Sequence, residues 1–325
     1  MKIKILSLLL LLSLLFTGCG VEDKKPTTDQ TTVDNTQQET PPERTDFRVL
    51  ITSDVHCTSI RTWNGMTNEQ RMQYWVDCVL AEHQRHPFDL IIFAGDLSLD
   101  FHGREGTYST RGKSETKEFI ENYVSQLPEN IPKIYLPGNH EAYTNEEWKE
   151  ITGNDRATSF LLGNNLFVCP DSFNVHTELG TKNEKIECAP TNPYFIINEM
   201  NKHLGTNVFL ISHYFQTSTE SNGFKALVRA NKRIVCLFEG HVHRGDKFTL
   251  DEMSGKKTVA LTGHFLDAKV SSSLGDAWGF RDIVITENSA VTSYYQVKTF
   301  PDMNKLGKAQ DISFQIKHVY EFTLN

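Results

Sequence analysis

Two periodicities alternate along the chain from residue 47 onward. Phe47 to Thr52 is a short run of β-favouring residues, after which Met72, Trp75, Val76, Val79 and Leu80 recur at helical spacing. Leu90 to Ala94 reads as a buried strand, Phe119, Ile120, Tyr123, Val124 and Leu127 as one helical face, and Ile134 to Leu136 as a further strand. Strand alternating with helix predicts parallel strands joined by crossover helices, an α/β fold. Val208 to Ile211 and Ile234 to Phe238 continue the strands. Then the pattern changes: Lys247 to Leu250, Lys257 to Thr262, Phe280 to Thr286 and Val291 to Val297 are β-type runs with short links. These predict antiparallel pairing in a second sheet packed on the first. The stretch from Ala142 to Thr206 is expected to be loop-rich and to shape a pocket.

Residues 1–46 stand outside this pattern. Lys2 and Lys4 make a basic start, and Ile5 to Phe16 is apolar apart from Ser7 and Ser13. That run is shorter than the roughly 18 apolar residues of a spanning helix. Residues 1–18 are therefore expected to be a signal peptide. Thr17-Gly18-Cys19 resembles a bacterial lipobox, with Phe16 where the motif usually has an aliphatic residue. The motif implies cleavage before Cys19 and a lipid anchor on its sulfur. Residues 19–46 are rich in Thr, Gln, Asp, Glu and Pro and bury too little apolar surface to offset the entropy of ordering them. They are expected to form a tether from a bacterial cell membrane, on its outer side, to a folded domain at 47–325.

Polar residues gather at the ends of five predicted strands: Asp54 and His56, Asp96, Asn139 and His140, His213, and His241 with His243. In open parallel sheets ligands collect beyond the carboxyl ends of the strands. In an extended strand residues i and i+2 share a face, so Asp54 with His56, and His241 with His243, are each expected to aim two donors one way. Imidazole, carboxylate and amide oxygen suit Zn, Mn or Fe better than a thiolate-seeking metal. A single histidine at a strand end is more often structural; five such ends together point to a metal centre.

The order D-x-H, G-D, G-N-H-E, a lone His and G-H-V-H resembles the calcineurin-like metallophosphoesterase superfamily, from about Asp46 to Gln296. The resemblance implies two packed mixed β-sheets flanked by helices, a four-layer sandwich. It implies two divalent transition-metal ions, one on Asp54, His56 and His243, the other on Asn139, His213 and His241, with Asp96 between them. It also implies hydrolysis of phosphate mono- or diesters through a metal-bound hydroxide, with His140 as the catalytic histidine. Charge agrees: two divalent ions bring four positive charges and Asp54, Asp96 and one hydroxide return three, leaving a centre that attracts phosphate. Leu99 stands where an iron-tyrosinate subgroup has tyrosine, and Leu99-Asp100-Phe101 where protein phosphatases have D-R-G, so neither subgroup is expected. Glu141 or Asp100 could orient His140, and Arg244 and Arg281 could steady substrate phosphate, but the two carboxylates are expected to be solvated and the two arginines to be surface residues.

Composition narrows the partners. With 38% hydrophobic and 23% charged residues the chain is an ordinary globular one. Its net charge of −8 argues against a nucleic-acid-binding surface and leaves small phosphorylated substrates open. The sequence says nothing of oligomeric state. Of the six cysteines, Cys19 is assigned to the lipid, Cys78 and Cys236 to the core, and only Cys169 and Cys188 could plausibly pair. Two other classes make different demands of the sequence. A non-catalytic ligand-binding lipoprotein would lack a ligand position, and an amidohydrolase would open with H-x-H rather than Asp54-Val55-His56.

Overall fold

A computed structural model describes residues 44–63, 65–173, 188–249, 255–266, 278–299, 302–308 and 310–324. The predicted signal peptide, Cys19 and all but residues 44–46 of the predicted tether lie outside the described residues. Among the described residues no helix is long and apolar enough to cross a membrane.

Two six-stranded sheets form the domain. In the first, β1 (Phe47–Thr52), β2 (Leu90–Ala94) and β3 (Lys133–Leu136) run parallel, and β10 (Gly279–Ile285), β11 (Ser289–Val297) and β12 (Phe314–Thr323) extend it antiparallel from β1. The second has the order β4 (Thr158–Leu162), β5 (Asn165–Cys169), β6 (Asn207–Ser212), β7 (Ile234–Glu239), β9 (Val259–Leu261), β8 (Lys247–Phe248), and is parallel from β5 to β9. The period of two explains the layering. On β1 and β2, Val49, Ile51, Leu90 and Ile92 enter the core between the sheets, while Leu50, Ile91 and Phe93 face the helix α1 (Asn68–Arg85). On β5 and β6, Phe167 and Phe209 meet them from the other side, and Leu166, Val168, Val208 and Leu210 pack on α5 (Pro193–Lys202) and α6 (Asn222–Ala230). The result is the helix–sheet–sheet–helix sandwich implied by the resemblance.

Several expectations need correction. The C-terminal strands do not build a separate antiparallel sheet. β10 and β11 complete the first sheet along the open edge of β1, and β9 joins β7 in parallel. Among the described residues between 142 and 206, more than half lie in α4 (Asn145–Thr152), β4, β5 and α5, so that part is not mainly loop. α4 opens with a capping box, Thr144 with Glu147, a start signal readable in the sequence. Cys169 and Cys188 are both free thiols. Cys169 points into the inter-sheet core, whereas Cys188 forms a backbone bridge with Phe173, so the two are not directed at each other. Cys78 and Cys236 are buried as expected.

Phe209 is fully buried and stacks on Phe167 at 5.2 Å between ring centroids. Phe209→Ala is expected to lower unfolding stability by about 3–5 kcal/mol in urea titrations. A loss below about 1 kcal/mol would show that the two sheets are not held together there.

Candidate metal centre

All seven predicted ligand side chains converge beyond the carboxyl ends of β1, β2, β3, β6 and β7, but not by the extended geometry that the spacing suggested. Asp54 and His56 lie past the end of β1, and Asp54, His56, Asp96, His241 and His243 all have left-handed backbone, with φ between 49° and 60°. Such conformations disfavour residues bearing a Cβ and persist where surrounding contacts enforce them. Here the contacts are explicit. Asp54 N donates to Gly95 O and His56 N to Asp96 O, each at 3.0 Å, knitting two ligand loops together. Arg71, buried on α1, donates to the carbonyls of Val55, His56 and Phe265 and stacks on Trp63 at 4.5 Å. Gly138 is required by proximity: a Cβ there would stand 2.2 Å from Asp96 Oδ1.

Three sets of donor atoms lie within 4.8 Å of one another: Asp54, His56 and His243; His56, Asp96 and His140; and Asp96, His213 and His241. Asp54 Oδ1 is 3.1 Å from His243 Nε2 and 3.6 Å from His56 Nε2. Asp96 Oδ2 is 3.2 Å from His213 Nε2 and 3.3 Å from His56 Nε2, which places it between the two ends of the cage. Asn139 Oδ1 faces His241 Nδ1 at 2.8 Å and His213 Nε2 at 3.2 Å. Ala94 O lies 2.8 Å from His213 Nδ1, so Nδ1–H is the donor there and Nε2 turns to the cage. Asp54 Oδ1 and His56 Nε2 are buried without a hydrogen-bond partner among the described residues. Buried acceptors left unpaired and facing one another are what a cation would satisfy, so the residues fit divalent ions.

Electrostatics point the same way. Burial resists the negative charge on Asp54, but His243 and His213 hold its carboxyl well below the usual range. Burial also resists a charge on His213, yet Asp96 and Asp54 push its pKa up to about 10. The carboxylates thus draw positive charge into the cage. The floor is sealed, with Asp54 and His213 fully buried, while 26% of the His243 side chain and 15% of that of His140 are exposed, which puts the mouth on their side.

His140 borders this mouth. Its N–H donates to Asp96 Oδ1 at 3.0 Å, and Asn139 Nδ2 lies 3.2 Å from its Nε2. Neither suggested orienting carboxylate reaches the ring, and neither is solvated. Glu141 is fully buried and accepts from the amides of Asp96, Ser98 and Gly138 at 2.8–2.9 Å, bracing two ligand loops. Asp100 is fully buried too, accepting from Thr107, Ser114, Tyr143 and the amides of Glu115 and Thr116. Arg281 is not at the surface; it is buried and donates to Leu261 O and Gly245 O. Arg244 is half-buried and paired with Asp246. Sequence reasoning missed several rings at the centre's walls. His102 lies 4.8 Å from His140, Tyr214 4.5 Å from His241 and Trp63 6.2 Å from His56, between ring centroids, and no motif marks them. A cavity of about 400 Å³ opens beside His241, between Tyr214, Val242 and Phe248.

Residues 47–251 match the model of the calcineurin-like phosphoesterases, and the chain belongs to that family. It is therefore a metal-dependent phosphoric ester hydrolase. No curated protein matches the chain in sequence. The fold is similar to that of a dimetal phosphatase from Danio rerio, with a TM-score of 0.57 and 12% identity over 86% of this chain and 99% of that one. Weaker similarities join it to PhoD (TM-score 0.49, 10% identity, 86% of this chain and 70% of that one) and to GAP50 of the Plasmodium inner membrane complex (0.45, 11%, 87% and 90%).

Proposed function

We propose that this protein is an exported, lipid-anchored phosphoesterase that hydrolyses phosphate mono- or diesters at a centre of two divalent ions. Convergence of the complete donor set carries this reading, above all the unpaired Asp54 Oδ1 and His56 Nε2. Asp54, His56 and His243 would hold one ion, Asn139, His213 and His241 the other, with Asp96 shared. When bound, such ions lower the pKa of water and draw charge from phosphate oxygens. The chain's own residues do the rest. Glu141 and Arg71 hold the ligand loops in register, the buried floor excludes bulk water, and His140 meets the ester at the mouth. A binding-only scaffold would be favoured by a missing donor, and none of the seven positions is empty of one.

Purified protein is expected to hold two Mn, Fe or Zn ions per chain and to cleave members of a phosphate-ester panel supplied with Mn²⁺, with EDTA abolishing turnover. Elemental analysis finding no metal, with hydrolysis indifferent to EDTA, would overturn the reading. Export and anchoring rest on the sequence of residues 1–46. Cys19→Ala is expected to move the protein from membranes to the soluble fraction with hydrolysis unchanged, since several acyl chains are needed for firm anchoring. Unlipidated, soluble wild-type protein would remove the anchor from the proposal.

A further inference from the structure

We propose that His264 touches the substrate, as a neutral imidazole whose Nε2–H donates to a phosphoryl oxygen of the ester bound beside Asp54, His56 and His243. This rests on the phosphoesterase reading above. His264 follows β9 and is fully buried. Its turn is tied to the centre: Phe265 N donates to Asp54 O at 3.1 Å, Gly263 N to Arg244 O at 2.8 Å, and Ser53 Oγ to Gly263 O at 3.3 Å. The ring lies against that of His243, 5.4 Å between centroids.

The tautomer follows from one hydrogen bond. Leu266 N donates to His264 Nδ1 at 3.1 Å. A backbone amide only donates, so Nδ1 carries the lone pair and the ring's proton sits on Nε2. That Nε2 is buried and has no hydrogen-bond partner among the described residues. Buried donors are rarely left unpaired in folded proteins, and each such case needs an explanation. Asp54 Oδ1 does not supply it, because that oxygen has no hydrogen-bond partner either. Nor is His264 another ligand of the ions, since it belongs to none of the three converging donor sets. The ring that carries this N–H lies against that of the ligand His243, and an N–H at the wall of the centre suits an anionic oxygen, since phosphate oxygens are strong acceptors. In this role His264 stabilises charge beside His243, while His140 stands beside Asp96.

The test uses intact, zinc-loaded protein with inorganic phosphate as probe. In spectra of ¹⁵N-histidine-labelled protein, His264 is expected to carry its proton on Nε2, and that resonance is expected to shift when phosphate is added. His264→Ala is expected to weaken phosphate binding in calorimetry and to lower kcat by on the order of 10²-fold at unchanged metal content, as for loss of one oxyanion donor. His264→Gln, which keeps an N–H, is expected to recover part of both. An Nε2 resonance unmoved by phosphate, or His264→Ala with wild-type phosphate affinity and turnover, overturns the inference and leaves the phosphoesterase reading intact. Loss of metal in His264→Ala without recovery in His264→Gln makes the residue structural and overturns it as well. If His264→Ala fails to fold, the wild-type spectra decide. Wild-type protein that neither binds phosphate nor cleaves any ester overturns the phosphoesterase reading, and this inference with it.

Discussion

Asp96→Asn is expected to lower kcat/KM by on the order of 10³-fold or more, a larger loss than that of any single ligand at one end of the cage. Asp96 and His56 each belong to two of the three converging donor sets, but only Asp96 brings a negative charge, and its Oδ2 faces both His213 and His56. Its other oxygen accepts the amide of His140. The amide side chain keeps the shape but removes the charge that both ions would share, so metal content should fall along with activity. His56→Ala and His243→Ala each remove a donor at the end nearer Asp54 and should cost less. Elemental analysis and steady-state kinetics on the three variants check this. An Asp96→Asn loss equal to or milder than that of His243→Ala would exclude a shared position for Asp96.

His140→Ala is the second large effect, expected at about 10²–10³-fold in kcat/KM on an aryl phosphate and an alkyl phosphate alike. Burial pushes the His140 pKa down to about 3, with His56, His102 and His213 adding to the shift and Asp96 opposing it. The imidazole is then uncharged at neutral pH, which suits donation of a hydrogen bond to the phosphoryl group rather than transfer of a proton to the leaving oxygen. A nitrophenolate departs without help, whereas an alkoxide needs a proton, so the two esters separate the roles. A loss of up to 10⁴-fold on the alkyl ester with little on the aryl ester would establish general acid catalysis and overturn the neutral-donor role. Metal content must match wild type in both measurements.

The candidate site was more legible in the sequence than the architecture around it. Asp54, Asp96, Asn139, His213 and His241 each follow an apolar run, and buried parallel strands announce both the run and its end. Strand partnership was not legible, because pairing is long-range. Nothing in Phe280 to Thr286 reveals that it lies beside β1 rather than in another sheet. β12 was missed for a local reason. Its register shifts against β11 near Thr292, where His318 takes φ 47°, so Phe314 packs on the helix side and Tyr320 and Phe322 on the inter-sheet side. A bulge breaks the alternation by which a strand is recognised. Glu141 was misplaced at the surface because its partners are backbone amides, which leave no mark in the sequence, and Asp100 because its hydroxyl partners Thr107, Ser114 and Tyr143 and two amides follow no local spacing. The i, i+2 argument found the correct pairs through the wrong backbone geometry.

The five left-handed positions set heat resistance against catalysis in this chain. Glycine adopts that backbone without penalty, and an L-residue there costs about 1–2 kcal/mol. An engineer selecting only for survival at high temperature would thus be led toward glycine at Asp54, His56, Asp96, His241 and His243. Each such step would relax the backbone and delete a donor atom. The side chains with the strongest claim on the chemistry are the ones the bare polypeptide would most readily give up, and a screen for hardier variants has to score turnover at every round.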